Sequence, residues 1–244
     1  MPKISLKSKK PLVSIVIITK NQKKFLEKSL PSIFKQTYQN FEVIVVDSGS
    51  TDGALKLMNK FSVNIIHTNQ PNPKTFNHAK AFNQGAKIAK GKYLVRLSGD
   101  AIPANRRWLE ELIKSAEEEN VAMVCGRYFF SWKTDLIFQY WFRKSLFHSL
   151  QKQPYAITGG NCLMRKNFWE NYPLNEKFGP GDDWEWAQVM KTKGYKIIFN
   201  QKAIVFHEHS FEIKKQLKNF WWWITTMPKG LIRLIEIKKT YGSK

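Results

Sequence analysis

Apolar, mostly β-branched runs alternate with amphipathic stretches along the first half of the chain. Val13 to Thr19 is apolar almost throughout, and Val43 to Val46 is a second run that ends in Asp47. Such runs are typical of parallel strands buried on both faces. Further strands are predicted at Val63 to His67, Tyr93 to Leu97 and Val121 to Cys125. Helices are predicted around residues 25–34 and at 53–60, 76–90 and 106–119. This alternation indicates βαβ units and an open, mostly parallel sheet.

The regular alternation fades after about residue 130 into an aromatic, mixed region. A strand at Asn161 to Arg165, a helix from Asp183 to Lys193 and a strand at Ala203 to Phe206 are predicted beyond it. Because no Ser/Gly linker and no internal repeat separates the halves, we interpret them as one domain. The predicted organisation is a basic leader at 1–10, a single α/β domain at 11–210 and a C-terminal tail at 211–244.

The chain carries a large positive charge. Its 244 residues include 40 Lys and Arg against 19 Asp and Glu, a net charge of +21. A charge of this size indicates an anionic partner, for which nucleic acid, anionic lipid and phosphorylated substrates all qualify. Cys125 and Cys162 are too few for a disulfide framework or a zinc site of paired cysteines, and we expect two reduced core thiols in a cytosolic protein.

The tail combines cations with aromatic residues. Lysines at 214, 215 and 218 lie beside the aromatic run Phe220 to Trp223, and aliphatic residues alternate with further basic ones after it. This composition is typical of a helix anchored in the headgroup zone of an anionic membrane, although a helix that packs its aromatic residues on the domain is the alternative. No apolar run reaches the roughly 18 residues needed to cross a bilayer.

Polar residues follow several predicted strands, at the place where sheets of this kind bind ligands. Asp47 leaves a buried strand into a turn of small residues, where it accepts hydrogen bonds from a nucleobase or sugar, or only closes the turn. Asp100 follows the strand that begins at Tyr93, and its carboxylate suits Mg²⁺ or Mn²⁺, although an ordinary turn aspartate is the alternative.

Two more polar groups lie late in the chain. Asp182, Asp183 and Glu185 stand where a loop enters a helix, so they either cap the helix or raise one another's pKa to make a general base. His207 and His209 follow a strand, and alternation places both imidazoles on one side. Together they form a metal or phosphate site, or one is simply a buried histidine.

The order and spacing of these segments resemble family 2 glycosyltransferases with the GT-A fold, and most of all their rhamnosyltransferase-like group. The resemblance runs from about Leu12 to Ser210 and rests on VSIVIITKN, VVDSGSTDG, FNHAKAFNQGAKIAKGKYLVRLSGDAIP and GDDWEWAQVMKTKGYKIIFNQKAIVFHEHS. It implies one α/β domain with a mostly parallel central sheet flanked by helices. Residues 11–105 would form a Rossmann-like nucleotide-sugar-binding half and residues 106–210 an acceptor and catalytic half.

The resemblance implies a donor site at the carboxyl ends of the first predicted strands. Thr19 and Asn21 would line the nucleotide pocket and Asp47 would contact the base of a nucleotide-diphosphate sugar, either a dTDP- or a UDP-sugar. The segment Ser98, Gly99 and Asp100 would contact the donor as well.

The resemblance also implies a divalent cation, Mn²⁺ or Mg²⁺. Asp100 would be the surviving acid of the metal-binding Asp-X-Asp motif, because Ser98 stands in place of the first acid. His207 or His209 would complete the site.

Asp183 matches the aspartate of the family's Glu-Asp pair, and that aspartate is the general base. Asp182 stands in place of the glutamate. The family often has an arginine one turn later, where this chain has Val189. The residues implied on the acceptor side are Gly160, Asn161, Asp182 and Trp184.

The implied function is inverting, metal-dependent transfer of a sugar, with L-rhamnose suggested, to a saccharide or lipid-linked acceptor in surface polysaccharide or glycan synthesis. With the basic tail, it implies a cytoplasmic protein held peripherally on the inner face of the plasma membrane. Two alternatives remain at this point: an inactive GT-A-like scaffold, suggested by Ser98 and Val189, and a basic nucleic-acid-binding protein. We expect no nucleic-acid partner, because the sequence contains no recognisable nucleic-acid-binding module.

Overall fold

The structure is a computed structural model of the chain. It describes residues 10–68, 70, 76–130, 159–178, 181–207, 232–233 and 235–241. Nearly all of the basic leader, the aromatic region at 131–158, His209 and the aromatic part of the tail lie outside these residues.

The domain is an eight-stranded sheet with helices on both faces. The strands are β1 (Val13–Thr19), β2 (Phe41–Asp47), β3 (Val63–His67), β4 (Tyr93–Ser98), β5 (Ala101–Pro103), β6 (Val121–Phe130), β7 (Asn161–Arg165) and β8 (Lys196–His207). The helices are α1 (Lys23–Phe34), α2 (Ala54–Met58), α3 (His78–Ile88), α4 (Trp108–Ser115), α5 (Lys166–Asn171) and α6 (Asp182–Thr192). The strand order is β3-β2-β1-β4-β7-β6-β8-β5.

The first half of the sheet is parallel, as predicted. β3, β2, β1 and β4 are neighbours that all run in the same direction. β7 is antiparallel to both β4 and β6, and β5 is antiparallel to β8, so the second half is mixed. The register pairs Thr19 with Asp47 and Ile18 with Ser98. The carboxyl ends of β1, β2 and β4 therefore meet at one edge of the sheet.

Two apolar layers form the core. Ile15 and Ile17 of β1 pack with α1 and α4 on one face, whereas Val16 packs with α3 and α6 on the other. This alternation explains the uninterrupted apolar run of β1, because every side chain of a doubly covered strand is buried. A Cβ built on Gly85 of α3 would lie 2.6 Å from Cγ1 of Val16, so this glycine allows α3 to approach the sheet closely.

Several elements differ from the predicted bounds. β6 and β8 are longer than predicted because they pair in parallel from Val121 to Phe130, across two register shifts. Polar residues interrupt the apolar pattern of β8 at Asn200, where one of the two register shifts in its pairing with β6 also lies, but the strand continues beyond them. The short elements β5 and α5 were not predicted, and α4 ends at Ser115, earlier than expected. Cys125 and Cys162 are both buried and are not joined in a disulfide.

A helical segment of the tail packs on the domain. Residues 232–233 and 235–241 are helical, and the side chain of Ile237 is fully buried in the layer that contains α6. In the described part of the chain, no helix is long and apolar enough to cross a bilayer.

Candidate active site

A cavity of about 390 Å³ opens at the carboxyl ends of β1 and β4. Its walls include Thr19, Arg96, Ser98, Asp100 and His207. Four of the six predicted donor-site residues, Thr19, Ser98, Gly99 and Asp100, therefore lie on one cavity, at the carboxyl edge of the sheet, where parallel sheets bind their ligands.

Asp47 holds the turn after β2. Its side chain is fully buried, and Oδ2 accepts hydrogen bonds from the backbone N–H groups of Gly49 and Ser50 at 2.9 and 3.0 Å. The hydroxyl of Ser50 donates to Oδ1 at 2.5 Å. Both carboxylate oxygens of Asp47 thus stabilise the turn, and its contact with a nucleobase stays a prediction.

Asn21 joins this turn to the loop after β1. The residue has a φ of +51°, and its N–H donates to Oγ of Ser50 at 2.9 Å. Its Oδ1 accepts the N–H of Thr51 at 2.7 Å. Thr19 lines the cavity and donates its hydroxyl to Oε1 of Gln22 at 3.0 Å. Asn21 therefore fixes the loop after β1, next to Thr19 on the cavity wall.

Gly99 and Gly160 allow the loops after β1 and β4 and the loop before β7 to come close together. A Cβ built on Gly99 would lie 2.2 Å from Oε1 of Gln22 and 2.8 Å from Oγ1 of Thr19. A Cβ built on Gly160 would lie 2.1 Å from Oγ of Ser98. Neither position has room for a side chain, so Ser98 faces the loop before β7 directly.

Asp100 and His207 form a pair on the cavity wall. Nε2 of His207 lies 3.2 Å from Oδ1 of Asp100, and the ring of Tyr128 packs against the imidazole at a centroid distance of 4.8 Å. The antiparallel pairing of Ala101 with His207 brings the two residues together.

This pair fits a divalent cation as part of a ligand set. A carboxylate oxygen and an imidazole nitrogen face the same cavity, and both bind such ions. Among the described residues, no group of three or more His, Cys, Asp or Glu is arranged to hold a metal. The remaining ligands would therefore come from phosphate oxygens, water or residues outside the described part, such as His209.

Asp182 is held by a buried arginine. Nη1 of Arg96, on β4, lies 3.0 Å from Oδ2 of Asp182, and both side chains are buried. Oδ1 of Asp182 accepts the N–H of Asp183 at 2.9 Å. Asp182 is the first residue of α6, after the N-cap Gly181, and its carboxylate pairs with Arg96 and accepts one free N–H of the first turn.

Asp183 is also a buried acid, and the pKa of its carboxyl is raised. Burial raises the pKa of its carboxyl to about 6, the neighbouring charge of Asp182 raises it as well, and Arg96 opposes both effects. Within the described part of the chain, no lysine or arginine lies within ion-pair distance of Asp183. A Cβ built on Gly159 would lie 2.9 Å from Oδ2 of Asp183. Because Gly159 has no side chain, the loop before β7 can approach the carboxylate of Asp183 closely.

Glu185 is the third buried acid of the first turn of α6. Its Oε1 accepts a hydrogen bond of 2.6 Å from Nη2 of Arg233, which lies on the C-terminal helix. The two arginines thus neutralise Asp182 and Glu185 and leave Asp183 with the raised pKa. Sequence reasoning missed both arginines, although Arg96 is conspicuous as the one charge in the strand YLVRLS.

His78 also lines the cavity and was not predicted. Burial lowers the pKa of its imidazole, and the nearby charge of Arg96 lowers it further. His78 is therefore a neutral hydrogen-bonding group at pH 7.

The described residues that line the cavity include neither Asp183 nor any of the four predicted acceptor-side residues, Gly160, Asn161, Asp182 and Trp184. Asn161 is fully buried, its Oδ1 accepts the indole N–H of Trp108 at 2.9 Å, and its amide donates to the carbonyl of Ala203 at 3.0 Å. Its side chain therefore belongs to the core, because a strand residue that faces inward cannot also face the acceptor. The ring of Trp184 stacks on Phe178, with the centroids 6.4 Å apart.

Comparison with known proteins agrees with this geometry. A protein with 24% identity over 85% of the chain is an uncharacterized glycosyltransferase of Haemophilus influenzae, of which the chain covers 72%. The O-antigen chain rhamnosyltransferase WbaN of Salmonella anatum is 26% identical over 76% of the chain, which covers 62% of it. Glycosyltransferase GlyG of Streptococcus pneumoniae is 32% identical over 48% of the chain, which covers only 39% of its length.

Solved structures share the fold. The mannosyltransferase PcManGT of Pyrobaculum calidifontis, solved with GDP-Man and Mn²⁺, matches 82% of the chain with a TM-score of 0.64 at 20% identity, over 57% of its own length. TarS of S. aureus, solved with UDP, matches 81% with a TM-score of 0.62 at 18% identity, over 60% of its own length. At this identity the likeness establishes the GT-A-like fold, and the chain spans little more than half of each solved chain.

The family profile described as Glycosyl transferase family 2 matches residues 14–173, more than half of the chain. The matched range contains β1 to β7 and the cavity-lining residues up to Asp100. The chain therefore belongs to glycosyltransferase family 2, on a single-domain α/β fold of the GT-A type.

Proposed function

We propose that this protein is an inverting glycosyltransferase in which Asp183 is the general base. The observation that carries the proposal is the state of the three acids on α6. Asp182 and Glu185 each have an arginine, whereas Asp183 is buried with a pKa raised to about 6 and stands beside the side-chain-free Gly159. A base with a pKa near the working pH accepts a proton efficiently.

The proposed reaction is a single displacement. Asp183 accepts the proton of an acceptor hydroxyl while the hydroxyl oxygen forms a bond to the anomeric carbon of the donor. The bond from that carbon to the diphosphate oxygen breaks, and the nucleoside diphosphate leaves with the bonding electron pair. One carboxylate base and no enzyme nucleophile imply inversion at the anomeric carbon.

The proposed donor is a nucleotide-diphosphate sugar bound in the cavity at β1 and β4. Solved relatives of the same fold bind GDP-Man, UDP and UDP-GlcNAc. We favour a dTDP- or UDP-sugar, with L-rhamnose supported by the similarity to the Salmonella rhamnosyltransferase. Thr19, Ser98, Gly99 and Asp100 would contact the donor, and the turn held by Asp47 and Asn21 would carry the base.

Asp100 and His207 would hold a divalent cation, with His209 as a further candidate ligand. Such a cation supplies neutralising charge for the diphosphate as it leaves. Mn²⁺ is favoured over Mg²⁺, because the imidazole of His207 lies beside the carboxylate and nitrogen ligands suit Mn²⁺ better than Mg²⁺.

The proposed acceptor is a saccharide or a lipid-linked glycan at an anionic membrane. The C-terminal helix supports this location, because Ile232 and Ile235 are 58% and 51% exposed and share one face with the exposed Lys239. The opposite face carries the buried Ile237. An exposed face of isoleucine and lysine suits peripheral binding to the inner face of the plasma membrane from the cytoplasm.

The donor site is tested by the thermal stability of the protein with dTDP, UDP, GDP and CDP, each with Mn²⁺, Mg²⁺ or EDTA. A ligand at 100 times its Kd adds about 2.7 kcal/mol to the free energy of unfolding. We expect one nucleotide to raise the Tm in the presence of metal and Asp100→Asn to reduce that rise. No rise with any nucleotide would favour an inactive scaffold, and a rise with duplex DNA alone would favour a nucleic-acid-binding protein.

A further inference from the structure

The first turn of α6 carries more buried negative charge than the helix itself can neutralise. Asp182, Asp183 and Glu185 are all less than one-tenth exposed. The only basic residue of α6 is Lys191, in the last turn. Val189, four residues after Glu185 and so on the same face, is apolar and buried. Any cation that neutralises Glu185 must therefore come from another element.

Arg233 supplies that cation from the C-terminal helix. Its Nη2 and Nε lie 2.6 and 3.1 Å from Oε1 of Glu185, and the amide of Asn175 donates to the same oxygen at 3.2 Å. Nη1 of Arg233 pairs with Glu236 at 3.0 Å, on the exposed side. The guanidinium of Arg233 thus joins a buried carboxylate on α6 to an exposed one on its own helix.

The C-terminal helix is fixed against α6 at a second point. The ring of Tyr241 packs edge-on against Tyr172 at a centroid distance of 6.3 Å. Lys193, which caps the end of α6, places its ammonium over both rings, at 4.3 and 5.0 Å from their centroids. The contacts of Arg233 and Tyr241 are eight residues apart, as are Glu185 and Lys193. The two helices therefore run side by side in the same direction.

We propose that Arg233 is a positioning residue of the transferase, through which the C-terminal helix holds the first turn of α6 and the carboxylate of Asp183 in the working geometry. The proposal rests on the proposed role of Asp183 as the base. Without Arg233, Glu185 is a buried charge with one amide partner, and it must take up a proton or turn towards water. Either change displaces the turn that carries Asp183, two residues away.

We expect the loss of Arg233 to change the position of the Asp183 carboxylate. The charged groups that set the pKa of Asp183 are Asp182 on α6 and Arg96 on β4, and Arg233 is not one of them. Replacement of Arg233 is therefore expected to lower kcat through the position of the Asp183 carboxylate. None of the described residues of the C-terminal helix lines the donor cavity, so KM for the donor is expected to stay unchanged.

The test compares Arg233→Gln with Glu236→Gln, a matched control that removes the exposed partner of the same arginine. Hydrogen exchange of the α6 amides and steady-state transfer are measured on both. For Arg233→Gln we expect faster exchange at the start of α6 and a kcat at least about tenfold lower, because small misplacements of a catalytic group are costly. Glu236→Gln is expected to resemble the wild type in the hydrogen exchange of α6 and in kcat.

Two further variants separate positioning from general loss of structure. Glu185→Gln/Arg233→Gln removes both charges, so it should transfer sugar faster than Arg233→Gln alone. Arg233→Lys keeps the charge and should rescue part of kcat. An unchanged kcat in Arg233→Gln, with or without faster exchange, would overturn the proposal. The proposal would also be overturned if Arg233→Gln lowered kcat by the same factor in the Glu185→Gln background as in the wild type. A wild-type protein that transfers no sugar would instead overturn the proposed function.

Discussion

Nη1 of Arg96 lies 3.0 Å from Oδ2 of Asp182, and this ion pair is buried between β4 and α6. It makes two adjacent carboxylates chemically different, because in the described part of the chain Asp182 pairs with a cation and Asp183 has none within ion-pair distance. Pairs of acids whose environments separate their pKa values are the usual basis for assigning a base and its supporting group. Arg96 also faces the ring of Phe82 at 5.5 Å, which fixes the guanidinium from the other side.

Arg96→Gln is expected to destabilise the protein by about 3 to 5 kcal/mol, because it leaves Asp182 as a buried charge without its partner. The change also removes the charge that lowers the pKa of Asp183, so that pKa should rise. Urea unfolding at pH 7.5 measures the first effect. Arg96→Gln/Asp182→Asn is the control, and it should recover part of the loss; equal stability of the two variants would contradict this role of the pair.

Asp183→Asn is expected to stabilise the folded protein at pH 7.5. The folded pKa of about 6 lies above the ordinary value of 3.8, so the ionised carboxylate opposes folding above pH 6. This difference corresponds to about 3 kcal/mol at most, and it shrinks as the pH falls from 6 towards 3.8 and is lost below 3.8, where the carboxyl is protonated in both states. Asp182→Asn should have the opposite effect at pH 7.5. A less stable Asp183→Asn variant at pH 7.5 would count against a raised pKa.

Gly99→Ala is expected to raise KM for the donor. The added methyl group would meet Gln22 and Thr19 and displace the wall of the cavity between β1 and β4. Gly85→Ala is the matched control, since its methyl group would meet Val16 and Val46 in the core, away from the cavity. Gly85→Ala should lower the Tm and leave the donor KM unchanged. The reverse pattern would show that Gly99 is not at the donor site.

The exposed face of the C-terminal helix is expected to contribute to membrane binding. Ile232→Ser/Ile235→Ser should reduce the fraction of protein that floats with vesicles containing phosphatidylglycerol, because apolar burial at the interface is lost. Ile88→Ser is the control, because Ile88 is 40% exposed but belongs to α3. Equal flotation of the wild type and the double variant would contradict a role for this face.

The fold could be predicted furthest where strands are buried on both faces. The buried strands β1 and β7 have the bounds predicted from their apolar runs, the partly buried edge strand β3 has its predicted bounds as well, and the helices between them were placed within a few residues. β6 and β8 were predicted too short, since their outer parts are held by pairing with each other and contain polar residues. β5 has three residues, too few for any periodicity.

The site could be predicted only in part. Residues that follow strands, such as Thr19 and Asp100, could be placed because the topology brings parallel strand ends together. Arg96 and Asp182 are 86 positions apart, and Arg233 and Glu185 are 48 apart, so no local pattern reveals either pair. Asn161 was predicted on the acceptor side because it begins a strand next to a glycine-rich loop, whereas its amide joins three elements of the core.

The most direct test of the account is the pH dependence of sugar transfer by the wild type and Asp183→Asn, with the donor found in the nucleotide panel. The wild-type kcat/KM should rise as the pH increases through about 6, where Asp183 loses its proton, and then level off. Asp183→Asn should transfer sugar at least about a hundredfold more slowly at every pH and still bind the nucleotide normally. Transfer by Asp183→Asn at the wild-type rate, with the same pH profile, would contradict the assignment of Asp183 as the base.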